Sequence, residues 1–492
     1  MIGEAQATVR NVGLLIVQRG FEVAGTFIFA ALVPRLMGPD IYGRYALVTS
    51  LSIWFVLFSD LGITQVIVRY VPQFILQEEK KDLQKFFSYL LTVSLVWGTL
   101  CAGFYLLLTS LWLRDLDRLL LAIIAGTVIV RGWSQPFFAL LLGLSQAARW
   151  GMAQMMRRWV SLVFLLPGFY LGGLRGACLG LLLTELVVLA VGIGWGRSFL
   201  SWPNFHLNLN YLSPYLRFGL IFFFTSLIFT SFNRSGEVLI RFFHGNYVQV
   251  GYFGVSYNVY LTLATAIPQF TLAFIPLLTT LLANGDTEAI RQWTEQLLKW
   301  LAVGGMLVVF AVLLLGEDLV PIVLGKAYRP VASNLLPLSL ALLTHTLGSV
   351  ATLLTLIYER PKMAFVAGTI RLSTFWALGL PLVARWGSLG GCVAVLAAST
   401  LYAFYFNWRI QKVISYSLRK WTFAIGLGSF FLPLWWLRSS CMANLAFYGI
   451  FVVGYFFLLF FLKLITREEI TALRRVISQK GLRFEPSFQE SQ

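Results

Sequence analysis

Two short stretches set the chemistry of an otherwise apolar chain: RGFE at residues 19–22 and RSGE at 234–237. Each places an arginine and a glutamate three residues apart, on one face of a helix. The other charges inside apolar runs are few: Asp60, Arg131, Arg157, Arg158, Glu185 and Arg371. A charge at the centre of a bilayer costs about 3 kcal/mol on permissive scales, so each of these is a functional candidate by default. Guanidinium groups there suit an anion such as a phosphate. Carboxyl groups there suit proton exchange. Two readings stand side by side for the Arg–Glu pairs. Either each pair neutralises itself and eases insertion, or both faces line one central cavity where the pair opens to take an anion. Asp60 and Glu185 have no partner close in sequence. They are either protonated carboxyls satisfied inside a bundle or proton-coupling groups. Arg157 and Arg371 either snorkel from near the ends of their segments or line the same cavity.

The elements that must carry these residues follow from composition. The chain has 492 residues, of which 58% are hydrophobic and 12% charged, and its mean hydropathy is +0.77. A soluble protein of this size has no core large enough to hide that surface, so the class is an all-α polytopic membrane protein. Crossing the hydrocarbon core takes about 20 apolar residues. Runs and breaks place about fourteen spans on this criterion: 12–33, 46–66, 86–110, 119–141, 151–171, 174–196, 217–240, 252–282, 297–316, 332–357, 363–384, 388–408, 421–437 and 443–463. The first run is too long for a signal-peptide core and carries Arg19 and Glu22. An even number of spans puts both termini on one side. Lys and Arg are more frequent there, in QEEKKDLQK at 77–85 and in the tail from Lys463, so the termini are expected in the cytoplasm. The net charge of +17 lies mostly in short loops, which points to topology and anionic lipid rather than nucleic acid. The tail, 464–492, is either a basic amphipathic helix on the membrane or an exposed end.

An internal repeat organises the spans. Segment 157–180 aligns without gaps on 371–394, matching Arg157 with Arg371, Leu166 with Leu380, Pro167 with Pro381, Gly173 with Gly387, Gly176 with Gly390 and Cys178 with Cys392. A second echo relates PRLMGPDIYGRYA at 34–46 to IRFFHGNYVQVGYFG at 240–254. The alternative is convergent loop chemistry. Duplication predicts two parallel six-helix lobes, 1–200 and 212–410, related by an axis along the membrane normal. Two further helices, 421–463, lie outside the repeat. Prolines at 167, 381, 268 and 276 are expected to interrupt their spans.

Several chemistries are missing from the sequence. It contains no Walker motif, no nucleophile elbow and no His-Glu-x-x-His. Four cysteines and three histidines have no metal-ligand spacing, so neither a metal nor a cofactor is expected. Asp115 and Asp117 form a D-x-D in LRDLDR. This is either an interfacial charge cluster or the acid pair of a membrane glycosyltransferase or polymerase.

Residues 36–74, LMGPDIYGRYALVTSLSIWFVLFSDLGITQVIVRYVPQF, resemble the N-terminal signature of Wzx-type polysaccharide flippases. These belong to the multidrug/oligosaccharidyl-lipid/polysaccharide (MOP) exporter superfamily. The shared elements are the Leu-x-Gly-Pro-x-x-Tyr-Gly turn, Asp60-Leu-Gly62, and Arg69 with Pro72. The GLRGACLG and GSLGGCVA turns are similar to the family's glycine-spaced turns. The resemblance implies a MATE-like fold of two lobes facing across a cationic cavity, and no enzyme activity. It implies a substrate of the undecaprenyl-pyrophosphate-linked oligosaccharide class, flipped across the cell's cytoplasmic (inner) membrane for surface polysaccharide such as O-antigen or exopolysaccharide. In that frame Arg19, Arg131, Arg157, Arg234 and Arg371 would bind substrate. Glu22, Asp60, Glu185 and Glu237 would couple to protons or cations. Membrane lipids and polysaccharide polymerase machinery are the partners implied. A small-molecule or drug antiporter of the same superfamily is the nearest alternative.

Overall fold

A computed structural model describes residues 2–78, 80–197, 209–272, 274–462 and 464; within helices, the side chains of 2–20, 22, 23, 209 and 269 are not described. Thirteen α-helices account for nearly all of it, and no strand occurs among the described residues. They are α1 (Ile2–Asp60), α2 (Ile63–Leu76), α3 (Lys80–Trp112), α4 (Arg118–Gly143), α5 (Ala147–Gly196), α6 (Leu209–His244), α7 (Tyr247–Leu272), α8 (Ile275–Ala283), α9 (Thr287–Leu324), α10 (Val331–Ile357), α11 (Pro361–Ile410), α12 (Arg419–Ser429) and α13 (Cys441–Phe461). Ten of the described helices are long and apolar enough to cross a membrane. Their outward faces are apolar as well. On α3, Leu100, Phe104, Leu107 and Leu111 form an exposed stripe at helical spacing, while Cys101, Tyr105 and Thr109 on the opposite face are buried. Such a stripe needs hydrocarbon around it.

The three longest helices each break where the sequence places a turn between spans: α1 at Gly38, α5 at Gly172–Gly173 and α11 at Gly387. Gly173 (φ 57°, ψ −139°) and Gly387 (φ 56°, ψ −126°) adopt nearly the same backbone conformation, one that only glycine takes without strain. Behind the turns the arms return in backbone contact. A Cβ on Gly176 would strike the Gly168 carbonyl, and one on Gly390 would strike the Leu382 carbonyl. These are equivalent positions in the aligned segments, so both copies build the same hairpin. Pro167 and Pro381 stay inside helices, and the glycines make the break. Near Pro276 the expected interruption is present: α7 ends at Leu272 and α8 opens with Pro276 in its first turn.

Other boundaries differ from the sequence reading. The span expected at 46–66 starts earlier and stops at Asp60, because Leu61 and Gly62 both take positive φ. The Asp60 carboxylate accepts from Thr64 N (3.1 Å) and Thr64 Oγ1 (2.6 Å), and so starts α2. The segment before 217 is helical from Leu209. Tyr215 packs edge-on against Tyr70 (4.8 Å) and lies 4.9 Å from Phe86, which ties the start of α6 to α2 and α3. The span expected at 421–437 is instead the eleven-residue α12, followed by a 3-10 turn at Leu432–Trp435. Gly426, Gly428 and Pro433 weaken a helix there. At about 1.5 Å per residue, α12 is too short to cross. It and α13 dock on α9, where Phe310 stacks on Phe451 (3.8 Å between centroids) and Asn444 bonds Asp318 (2.7 Å). The tail 465–492 lies outside the described residues.

Candidate functional site

A cavity of about 500 Å³ opens between the two arms of α1 and helices α4, α5, α6 and α7. The lining follows helix periodicity. Ile124, Thr127 and Arg131 share one face of α4; Gln154, Arg157, Arg158 and Ser161 share one face of α5. The returning arm of α5 adds Thr184 and Glu185, α6 adds Arg234 and Glu237, and α7 adds Asn258, Thr262 and Thr265. Four arginines therefore face two glutamates, giving a formal surplus of positive charge. Hydroxyl and amide side chains fill most of the remaining polar wall.

Glu185 organises the arginines. Its side chain is 7% exposed and lies 3.3 Å from Arg157 Nε and 4.0 Å from Arg131 Nε. These contacts attract electrostatically but are not aligned as hydrogen bonds. Arg131 Nε and Arg157 Nη2 are buried without a hydrogen-bond partner. Donors left open beside a single carboxylate are what an incoming anion requires. Arg157 Nη1 donates to Gln154 Oε1 (3.3 Å), and the Arg158 guanidinium lies 5.1 Å from the Phe29 ring. The helix carrying Arg131 is steadied from behind. Pro136 has no N–H, which leaves the Gly132 carbonyl without its helical donor; Ser94 Oγ supplies one at 3.1 Å.

Six residues singled out from sequence thus meet in one cavity: Arg131, Arg157, Arg158, Glu185, Arg234 and Glu237. Arg234 and Glu237 share the wall, but Glu237 takes its hydrogen bond from Ser50 Oγ (3.4 Å), so the self-neutralising pair is not the contact formed. Arg371 is elsewhere. Its Nη2 donates to Tyr260 Oη (3.0 Å) and Ser399 Oγ (3.1 Å), and its guanidinium stacks 3.8 Å from the Phe232 ring. The face of α11 that bears it packs against α6 and α7, so the repeat-related Arg157 and Arg371 end in different surroundings. Asp60 does not line the cavity; it is held by α2. Arg19 and Glu22 fall outside the described side chains. Asn258 and Tyr42 join the site although no charge rule selected them, and Asn258 Nδ2 donates to Tyr42 Oη across the cavity wall (3.0 Å).

At the end marked by the Gly38, Gly173 and Gly387 turns, α1 and α7 cross in backbone contact. A Cβ on Gly43 would strike the Tyr247 carbonyl, and one on Gly251 would strike the Pro39 carbonyl. The second sequence echo maps Pro39 to Tyr247 and Gly43 to Gly251, so the crossing is reciprocal. Around it Arg241 bonds Asp115 (2.9 Å) and lies 4.2 Å from the Tyr247 ring, while Arg44 lies 4.6 Å from the same ring. Asp117 pairs with Arg175 and accepts from Leu119 N and Leu120 N as the cap of α4. Both carboxylates of the D-x-D are therefore engaged in structural contacts, as in an interfacial charge cluster. Asp117→Ala is expected to cost about 1 kcal/mol of stability through the lost cap, read as a lowered melting temperature in detergent with transport retained. Lost transport at an unchanged melting temperature would count against this assignment.

A family model described as polysaccharide biosynthesis protein matches residues 8–282, more than half of the 492 residues. No curated protein sequence matches the chain. Among solved structures, the lipid II flippase MurJ in its inward closed conformation is similar with a TM-score of 0.72 at 13% identity, over 92% of this chain and 100% of that one. An inward-facing multidrug resistance MATE family transporter of the MOP superfamily gives 0.61 at 14%, over 83% and 98% of the two chains. An outward-facing transporter of that family gives 0.53 at 14%, over 82% and 95%. At these identities the likeness establishes the fold, the MurJ/MATE-like all-helical architecture anticipated from sequence. With ten helices long and apolar enough to cross a membrane among the described residues, the protein is a multi-pass membrane protein. By the match over more than half its length, the chain belongs to the polysaccharide biosynthesis protein family.

Proposed function

We propose that the protein is a flippase that carries a polyprenyl-(pyro)phosphate-linked oligosaccharide from the inner to the outer leaflet of the cytoplasmic membrane, for cell-surface polysaccharide biosynthesis. The observation that carries this reading is the cavity itself: four arginines, two glutamates and open guanidinium donors, walled by hydroxyl and amide groups. Arg131, Arg157, Arg158 and Arg234 would hold the phosphate end. Residues such as Thr49, Thr127 and Asn258 offer hydrogen bonds to sugar hydroxyls. Glu185 and Glu237 are the carboxylates placed to exchange protons or cations as substrate enters and leaves. Residues 1–200 and 212–410 act as lobes that rock about the cavity, with the Gly43–Gly251 crossing closing the outer end and both termini in the cytoplasm. The similarity to the lipid II flippase MurJ supports a lipid-linked substrate. The cationic interior disfavours a cationic drug, which ranks antiport second.

The test is flipping of a labelled polyprenyl-pyrophosphate oligosaccharide in proteoliposomes. Arg157→Ala combined with Arg234→Ala is expected to reduce the rate at least tenfold, equivalent to about 1.4 kcal/mol, with insertion unchanged. Full transport by the double variant would sink the proposal.

A further inference from the structure

Pro268 lies inside α7 and has no N–H to donate. In an uninterrupted helix the amide of residue 268 would bond the carbonyl of residue 264. The Ala264 carbonyl is thus deprived of its helical partner in a buried position, Ala264 being 6% exposed. A buried carbonyl without a donor is costly. His345, on α10, fills the vacancy: its Nε2 lies 3.1 Å from Ala264 O. A carbonyl only accepts, so Nε2 carries the hydrogen. The other ring nitrogen, Nδ1, is buried and has no partner. The ring's single described hydrogen bond is therefore directed at the proline-freed carbonyl.

The position of this bond matters. Asn258, Leu261, Thr262 and Thr265 occupy the face of α7 that lines the cavity. Ala264 O, on the other side of the helix, is reached from α10. One turn beyond Pro268 the helix ends at Leu272 and α8 begins at Ile275. The cavity wall on α7 therefore lies just ahead of the break between α7 and α8, and His345 contacts it from behind. Ser94 does the equivalent for Pro136 on the opposite wall.

We propose that His345 is a positioning residue: by donating to Ala264 O, the carbonyl that Pro268 leaves without a helical donor, it holds α7 in place and keeps the Asn258–Thr265 face toward the arginines across the cavity. The functional consequence rests on the proposed anion site; the bond and its effect on α7 do not.

The experiment reads both separately, in the full-length chain reconstituted in nanodiscs. Cys441 is exposed among the native cysteines, so the background is Cys441→Ser with Thr265→Cys as reporter. Maleimide labelling at 265 reports the α7 wall, and binding of inorganic pyrophosphate reports the site. His345→Leu is expected to raise the labelling rate several-fold and to weaken pyrophosphate binding. His345→Gln, whose amide nitrogen reaches as far as Nε2, is expected to restore both. His345→Asn, one carbon shorter, is not. The decisive arm is Pro268→Ala, which returns an N–H to Ala264 O; in that background His345→Leu should no longer alter labelling. Equal effects of His345→Leu with and without Pro268, or no effect in either, would overturn the proposal by reducing His345 to a packing residue. Labelling that follows the scheme while the parent protein fails to bind pyrophosphate would sustain the His345 assignment and sink the anion site.

Discussion

Replacing Glu185 with alanine is expected to destabilise the protein by about 3–5 kcal/mol, the cost of stripping one partner from a buried ion pair. The geometry makes the effect large. Glu185 is the carboxylate within 4.0 Å of both Arg131 and Arg157, and the Arg157 side chain is only 16% exposed. Arg158 and Arg234 face the same cavity. Without Glu185 these guanidinium groups repel one another, most strongly at the buried Arg157. Glu185→Gln keeps the shape and some hydrogen bonding, so its loss should be smaller. An anion that enters the cavity should stand in for the missing carboxylate. Inorganic pyrophosphate at about 100 times its Kd would restore about 2.7 kcal/mol by mass action. Thermal unfolding in detergent, with and without pyrophosphate and with chloride at matched ionic strength, checks the whole chain of reasoning. Parental melting of Glu185→Ala would refute the neutralising role.

A second large effect is expected at the crossing of α1 and α7. Gly43→Ala and Gly251→Ala each add a single methyl group, yet each methyl lands on a backbone carbonyl of the opposite helix. A side chain in the way could rotate aside; a backbone cannot. Overpacking ordinarily costs about 1–3 kcal/mol, and here relief requires moving one helix off the other. Both variants should melt lower and should admit a water-soluble maleimide to Thr49→Cys in the cavity from this end. Gly103 on α3 is the control, because a Cβ there meets nothing within 4 Å. Gly103→Ala is expected to be neutral or to stabilise by up to about 1 kcal/mol through helix propensity. If Gly43→Ala behaves as Gly103→Ala does, the crossing is looser than described.

Much of this was legible in the sequence, for definite physical reasons. Charge inside an apolar run is expensive, so Arg131, Arg157, Glu185, Arg234 and Glu237 announced themselves, and they share one cavity. The ungapped match of 157–180 to 371–394 announced two like hairpins, because only glycine tolerates the backbone at Gly173 and Gly387. Three kinds of information were not legible. Neutral polar groups cost less to bury than charges, so Asn258 was not singled out, Tyr42 entered only as part of the family's turn and His345 only as one of three scattered histidines. Equivalence in a repeat does not fix what a residue faces: Arg371 meets Phe232, Tyr260 and Ser399 where Arg157 meets Glu185. Hydropathy also runs through turns. It carried the second span past Leu61 and Gly62, where the backbone reverses sign in φ, and it drew a full span over the short α12.

The reciprocal contact of Gly43 with Tyr247 and of Gly251 with Pro39 is the kind that two copies of one chain make about a two-fold axis. In a homodimer of half-length chains, every substitution would appear on both sides of that axis, and the cavity would be compelled to symmetry. One continuous chain escapes the constraint: each side can be altered alone while the shared crossing is kept. The charges have used this freedom. Arg131, Arg157, Arg158 and Glu185 come from the first half, and Arg234 and Glu237 from the second. A ligand with one anionic end and one neutral end therefore meets two unlike walls, and can be held in a single orientation.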